Sequence, residues 1–371
     1  MAFSSMRSFE KVFDDVKLSV DCLSTHPNQG SPMPPDTTRS HATLTDVAKA
    51  AGVSVGTASK ALNGRFDVKR ETRERVLRAA DELNFRPNAL ARGLLAGRTQ
   101  SVGVITNDLD GRFAPKIVVG VENALGADQS SVLLSITRGD PELEAHYIRS
   151  FQERRVDGIL IVGNIPESRP PARGLDRTPV VYVFSPSSSP EDASVIADNV
   201  AAGRLAAEHL IEQGKRHIYY LGGPPEEVAA RDRGQGTREQ ILAAGLSVSP
   251  LQILYGTWAE QWGWDAVGGI LASGAPVDGL VCGDDQIARG AIDRLLSEGV
   301  SIPDRAAVIG FDNWWILAQN SRHPFSSVDM ELEAIGGRAA RILTTGAPAP
   351  GVVAHPGHVV ARWSTIGDAP R

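Results

Sequence analysis

The chain has 371 residues, 42% apolar and 22% charged, which predicts two or three domains with a sizeable core. No run approaches the ~20 apolar residues of a membrane span. The first twenty residues lack the continuous apolar stretch of a secretory signal, and two cysteines, Cys22 and Cys282, are too few for a disulfide framework or a Cys-based zinc site. The expectation is therefore a cytoplasmic protein with no membrane partner. The net charge of −6 argues against nucleic acid, but it averages two unlike parts. Residues 39–98 hold twelve Lys and Arg against six Asp and Glu, a net +6, which leaves −12 for the remainder. That asymmetry predicts a nucleic-acid-binding module on an acidic body.

Residues 1–41 carry STHPNQGSPMPPDTTRSH, too poor in apolar residues to fold, and are expected to be a disordered extension. Three helices follow at 42–86. The first is drawn over about Thr45–Ala51 and ends at Gly52. The second covers Val55–Leu62, with Ser54 as N-cap and Asn63-Gly64 as its stop. The third covers Arg70–Leu83 with an apolar stripe of Val76, Leu77, Ala80 and Leu83. Residues 87–99 read as a linker in which Asn88 caps a short segment, Ala89–Leu95. From Ser101 the pattern changes to short apolar strands alternating with helices of ten to fifteen residues, which means parallel sheet, and the length favours two sheets over one.

The segment TLTDVAKAAGVSVGTASKALNG, opening at Thr43, has the helix, glycine turn and second helix of a helix-turn-helix. The second helix of such a motif lies in the major groove. Val55, Gly56, Thr57 and Ser59 would let its backbone approach base edges, and Lys60 extends from the same element. Ser54, Thr57, Ser59 and Asn63 can bond phosphates, which sets register without reading sequence. The competing reading is an ordinary three-helix bundle. The +6 charge and the linker that follows count against it.

With LNFRPNALARGLLAGRTQSVGVI added, the run from Thr43 to Ile105 resembles the lactose-repressor/galactose-repressor (LacI–GalR) family of bacterial transcription regulators. The resemblance implies an all-α helix-turn-helix headpiece at 42–86 and a hinge at 87–99. It also implies an effector-binding and dimerisation domain at 100–371. That domain would have the periplasmic-binding-protein-like α/β fold of two Rossmann-like subdomains: one at about 101–198 and 329–345, the other at about 199–328. It further implies a hinge helix that forms on DNA, capped by Asn88, with Ala91 close to the minor groove and Leu94 as the wedge that kinks a base step. The alternative for Leu94 is packing on the body. Two departures stand out. Val55-Gly56 replaces the family's base-reading pair, and the third helix has no Ser or Thr cap, leaving Asp67 or backbone groups to serve.

The resemblance places a small-molecule effector, a sugar or glycoside, in the cleft between the subdomains. Arg233 stands where the family keeps a guanidinium that forks two hydroxyls, Asp285 and Asp312 at strand ends where they accept from hydroxyls, and Trp258 as a stacking aromatic. Trp314 and Phe113 are further lining candidates. Of Asp284 and Asp285, one is expected to cap the following helix instead. Trp262 and Trp264 read as packing residues, and Arg231 as either a surface ion pair or a ligand group. His355 and His358 in HPGH lack a third ligand and read as a strand turn rather than a metal site. No cofactor and no catalytic residue is expected: no P-loop, GxSxG or HExxH pattern stands in a persuasive context, since the GxSxG spacing at Gly52–Gly56 falls inside the helix-turn-helix run. The implied partners are a pseudo-palindromic duplex operator and a second copy of the chain. The chain ends GHVVARWSTIGDAPR, without the leucine heptads of tetrameric relatives.

Overall fold

A computed structural model describes residues 42–62, 67–85, 99–107, 109–126, 130–346 and 348–367. The extension at 1–41, Asn63, and the hinge residues Asn88, Ala91 and Leu94 lie outside the described residues. The chain divides into two compact units, 1–87 and 88–371.

In the first unit, α1 (Leu44–Ala50), α2 (Val55–Leu62) and α3 (Arg70–Glu82) enclose a small core of Val47, Ala48, Ala51, Ala58, Ala61, Val76, Ala79 and Ala80. Alanine dominates because three short helices this close leave room for little more than a methyl group. Thr43 opens α1 with a capping box: Asp46 N–H donates to Thr43 Oγ1 at 3.3 Å, and Thr43 N–H to the Asp46 carboxylate at 2.9 Å. The Thr43 bonds hold the Asp46 carboxyl below its ordinary range. The expected stripe on α3 needs correction. Leu77 and Leu83 are exposed, and Ala79 is buried in their place. At 100° per residue, 76, 79 and 80 share a face from which 77 is turned away. Nor does Asp67 cap α3; its carboxylate pairs with Lys60 at 2.6 Å, and the N-cap residue of α3, Lys69, makes no side-chain cap.

The second unit builds one topology twice. The first lobe has β1 (Ser101–Thr106), β2 (Ser131–Ile136), β3 (Gly158–Val162), β4 (Val180–Val183), β5 (Ala193–Ala197) and β11 (Gly351–His355), all parallel, in the order β11-β5-β4-β3-β1-β2. The second has β6 (Ile218–Gly222), β7 (Ile253–Tyr255), β8 (Gly279–Cys282), β9 (Ala307–Phe311), β10 (Ser326–Asp329) and β12 (His358–Val360), in the order β12-β10-β9-β8-β6-β7. Only β12 runs antiparallel. Strands buried on both faces, such as GILIV and AVIGF, read as continuous apolar runs for that reason.

Helices cover both sheets: α4 (Ala114–Gly126), α5 (Pro141–Glu153), α6 (Asn199–Glu212), α7 (Val228–Ala243), α8 (Glu260–Ala272), α9 (Asp285–Ser297), α10 (Trp315–Ala318), α11 (Leu332–Thr344) and α12 (Trp363–Ile366). Three pairs touch through reciprocal glycines. A Cβ on Gly120 would lie 1.9 Å from Glu333 O, and one on Gly336 2.1 Å from Ile117 O. Gly203 and Gly236 serve α6 and α7 in the same way, and Gly263 and Gly290 serve α8 and α9.

The chain passes between lobes after β5, after β10 and after β11. This moves the expected boundaries. The first lobe takes in α11 and extends past 345 to His355, and the second lobe resumes at His358. HPGH is thus the third crossing rather than a turn within one sheet. The two sheets take β11 and β12 separately, a long-range choice that a local pattern does not carry. Glu331 lies beside this crossing, its carboxylate 2.7 Å from His358 Nδ1 and 3.9 Å from His355 Nε2.

Candidate functional site

In an open parallel sheet, ligands bind beyond the C-terminal strand ends where the strand order reverses. In the first lobe that point lies between β1 and β3, and in the second between β6 and β8. The loops after these strands, with neighbouring segments, form a cavity of about 410 Å³, inside the ~300–1,000 Å³ range of small-molecule sites. The first lobe lines it with Arg112, Phe113, Ala114, Asn164, Ile165, Pro166 and Phe184, and the second with Glu227, Ala229, Arg233, Trp258 and Asp312.

Trp258 is held on several sides. Its Nε1 donates to Glu227 Oε2 at 2.7 Å, and its carbonyl accepts from Gln286 Nε2 at 2.6 Å. Its ring lies against Gly223 and Gly283, where a Cβ would fall within 2.2 and 3.1 Å of it. Across the cavity Phe113 and Phe184 pack at 5.1 Å between centroids. The aromatic surface is therefore fixed before any ligand arrives, which lowers the ordering cost of binding.

The polar floor is a charge network. Asp312 follows β9 with φ +89° and Asn313 with φ +44°, left-handed conformations that non-glycine residues rarely adopt. Asp312 N–H to Val328 O at 2.9 Å, Asn313 N–H to Ser327 Oγ at 2.9 Å and Asn313 Nδ2 to Asp329 Oδ2 at 2.8 Å hold the bend. It turns the Asp312 carboxylate back into the cleft, the kind of place where backbone strain is retained. Arg112 Nη2 reaches across from the first lobe to Asp312 Oδ2 at 2.8 Å and Asp284 Oδ2 at 3.1 Å. Its guanidinium sits over the rings of Phe113 at 4.8 Å and Trp314 at 5.3 Å. Burial pulls the Arg112 pKa down, but Asp312, Asp284 and Asp285 outweigh it, so the group stays charged. Burial raises Asp284 and Asp285, and Asp312 repels both.

Residues 43–88 match the family described as bacterial regulatory proteins, lacI family, and residues 207–365 match the periplasmic binding protein-like domain. Catabolite control protein A of Priestia megaterium is 31% identical over 304 residues, 81% of this chain and 91% of that one. The chain belongs to the LacI family. The HTH-type transcriptional regulator CelR of Thermobifida fusca is 33% identical over 316 residues, 82% and 92% of the two chains. Among solved structures, the lac repressor dimer bound to operator and the anti-inducer ONPF gives a TM-score of 0.64 at 25% identity, covering 87% of this chain and 99% of that one. The CelR–cellobiose complex gives 0.57 at 29% identity over the same shares. This protein is accordingly a LacI-family transcriptional regulator.

In this LacI-family chain the residues expected from sequence fall into three groups. Phe113, Arg233, Trp258 and Asp312 line the cavity. Arg233 has less to offer a ligand than expected. Its Nε, Nη1 and Nη2 already donate to Asn199 Oδ1 at 2.9 Å, Gly283 O at 2.6 Å and Asp312 Oδ1 at 3.3 Å. Trp314 meets the cavity through the Arg112 guanidinium rather than as a lining residue. Asp285 is a correction. Its oxygens accept from Trp314 N–H at 2.6 Å and Ser327 Oγ at 2.7 Å, behind the cavity wall. The helix cap is Asp284, which accepts from Ile287 N–H at 2.8 Å and also meets Arg112. Asp284 thus caps the helix and pairs with Arg112, and Asp285 does neither.

Arg231 donates to the carbonyls of Pro225 and Glu226 and closes its own loop. Trp262 donates to Gly222 O, and Trp264 lies under Arg294, so both pack. Sequence reasoning missed Arg112, Glu227, Asn164 and Phe184. The switch-point rule applied to the β1 and β6 loops points to the first two. Among the described residues no group of three His, Cys, Asp or Glu could hold a metal, and no helix is long and apolar enough to cross a membrane.

In the headpiece, Thr57 N–H donates to Ser54 Oγ at 3.1 Å and caps α2, with the two hydroxyls 2.8 Å apart. Ala58 and Ala61 face the core, whereas Val55, Gly56 and Lys60 are exposed and Thr57 and Ser59 half-buried. Lys60 is tied to Asp67. A Cβ on Gly56 would meet only Ser54 Oγ, at 3.9 Å.

Proposed function

We propose that this regulator is a repressor whose operator affinity is set by a small carbohydrate effector in the cleft. The observation that carries this reading is the cavity between two switch points, lined by Trp258, Phe113 and Phe184 beside carboxylates and guanidinium groups. A sugar offers an apolar C–H face to rings and hydroxyls to charged groups, and a floor whose arginines are matched by aspartates favours a neutral ligand over an anion. The relatives support it: CelR is described in complex with cellobiose, and the lac repressor with operator and anti-inducer.

The DNA end of the proposal uses α2. Val55 and Gly56 would meet base edges, and Thr43, Ser54, Thr57, Ser59, Lys60 and Asn63 the backbone and adjacent bases. Asn88, Ala91 and Leu94 would form the hinge at the minor groove. With no side chain at Gly56, specificity leans on Thr57, on Val55 against thymine methyl groups, on Lys60, and on the bend at the hinge. The protein would work in the cytoplasm as a dimer on a two-fold operator.

Fluorescence anisotropy of the full chain on a labelled operator duplex, across a sugar panel, tests both ends. The expected result is sequence-selective binding, steeply weakened by salt, that one sugar class shifts and Trp258→Ala desensitises. No selective duplex binding with or without sugars would overturn it.

A further inference from the structure

The cleft floor has four carboxylate oxygens on Asp284 and Asp312: three accept hydrogen bonds from the protein, and the fourth, Asp312 Oδ2, is buried with an ion-pair contact to Arg112 and no hydrogen bond. Asp284 Oδ1 accepts from Ile287 N–H at 2.8 Å and Asp312 Oδ1 from Arg233 Nη2 at 3.3 Å. The remaining two, Asp284 Oδ2 and Asp312 Oδ2, converge on one nitrogen, Arg112 Nη2. Arg112 comes from the loop between β1 and α4 in the first lobe, whereas both aspartates belong to the second. Its side chain is 19% exposed and its Nε is buried without a hydrogen-bond partner. That leaves a costly group in a site it would leave only if something else met the aspartates. The flanking rings of Phe113 and Trp314 fix the guanidinium plane.

We propose that Arg112 is a self-ligand of the cleft: it clamps the two lobes through Asp284 and Asp312 and stands where effector hydroxyls would bond, so an effector binds by displacing it. This rests on the reading that the cavity is the effector site. It makes Arg112 a determinant of selectivity. A ligand that cannot return two donors to Asp284 and Asp312 leaves desolvated carboxylates behind and is rejected. It also makes apparent affinity a product of intrinsic affinity and the fraction of molecules with Arg112 withdrawn.

Arg112→Ala separates this from a simple contact role. The sugar that shifts the wild type should bind the variant about tenfold more tightly by calorimetry, the worth of roughly one charge-assisted hydrogen bond. A contact role gives weaker binding instead. A second readout needs no sugar. Methylguanidinium at millimolar concentration should raise the melting temperature of Arg112→Ala but not of the wild type, and should compete with the sugar in the variant alone. Arg112→Met, which keeps an unbranched side chain without the charge, serves if the alanine variant does not fold. Unchanged or weaker sugar binding, or equal methylguanidinium response in both proteins, overturns the proposal. If Trp258→Ala leaves sugar binding intact, the effector reading fails, and the methylguanidinium arm still decides the role of Arg112.

Discussion

The two lobes share a strand order and differ in what they bring to the cleft. The first contributes Phe113, Ala114, Ile165, Pro166 and Phe184, with Arg112 as its one charge in the cavity wall among the described residues. The second contributes Glu227, Arg233 and Asp312, with Trp258 as its one aromatic. The same topology thus yields an apolar jaw and a charged jaw. The lesson is that strand order fixes where a site forms, and only the loop residues fix its chemistry.

The largest test of the shared architecture is steric. Gly336→Val and Gly290→Val each force a side chain into a facing backbone carbonyl, and each should cost about 3 kcal/mol or more. Chemical denaturation checks whether the two losses match; a small loss in one lobe would show that its helix pair can part.

The jaws themselves are compared by truncation. Trp258→Ala should weaken sugar binding roughly 30-fold and Phe113→Ala by about half that free energy, on the ~2 kcal/mol scale of a buried aromatic. Calorimetry giving the reverse order would move the principal stacking surface to the first lobe.

A smaller effect marks the buried carboxylate behind the charged jaw. Burial raises the Asp285 carboxyl, so the folded state holds its proton more tightly than the unfolded one. The stability this gives is complete below the ordinary value of 3.8 and is lost as pH rises through the elevated folded value. Asp285→Asn imitates the protonated form. Its melting temperature relative to wild type should therefore improve from pH 4 to pH 7, and a flat difference would refute the buried charge.

The smallest change leaves both jaws alone. Gly56→Ala should stabilise the headpiece by about 0.5–1 kcal/mol, since a glycine inside a helix costs that much and the space is open. Its operator selectivity should change while sugar affinity does not, as anisotropy and calorimetry on one preparation would show.

Much of this was legible in the sequence because it is local. The run TLTDVAKAAGVSVGTASKALNG encodes its helices through Thr43, Gly52 and Ser54, which act within four residues of themselves. The continuous apolar runs around Gly158–Val162 and Gly279–Cys282 announce buried parallel strands. Trp258 and Asp312 were placed by resemblance, and both line the cavity. Asp284 and Asp285 show where that reach ends. They are adjacent, identical in chemistry and both at the start of α9. Which one faces Arg112 depends on the direction of the first helical turn and on where Ser327 lies, 42 residues away.

By itself, the sequence determined the modules, their order, the charge split between a +6 headpiece segment and an acidic remainder, and the family. These rest on composition and short-range pattern. Only the tertiary structure decided that β11 and β12 join different sheets, that Arg233 is occupied by protein acceptors, and that Arg112 spans the cleft. The reason is distance along the chain. Arg112 and Asp284 are 172 residues apart, and no local preference sets a 3.1 Å contact between them until two sheets have formed and faced each other.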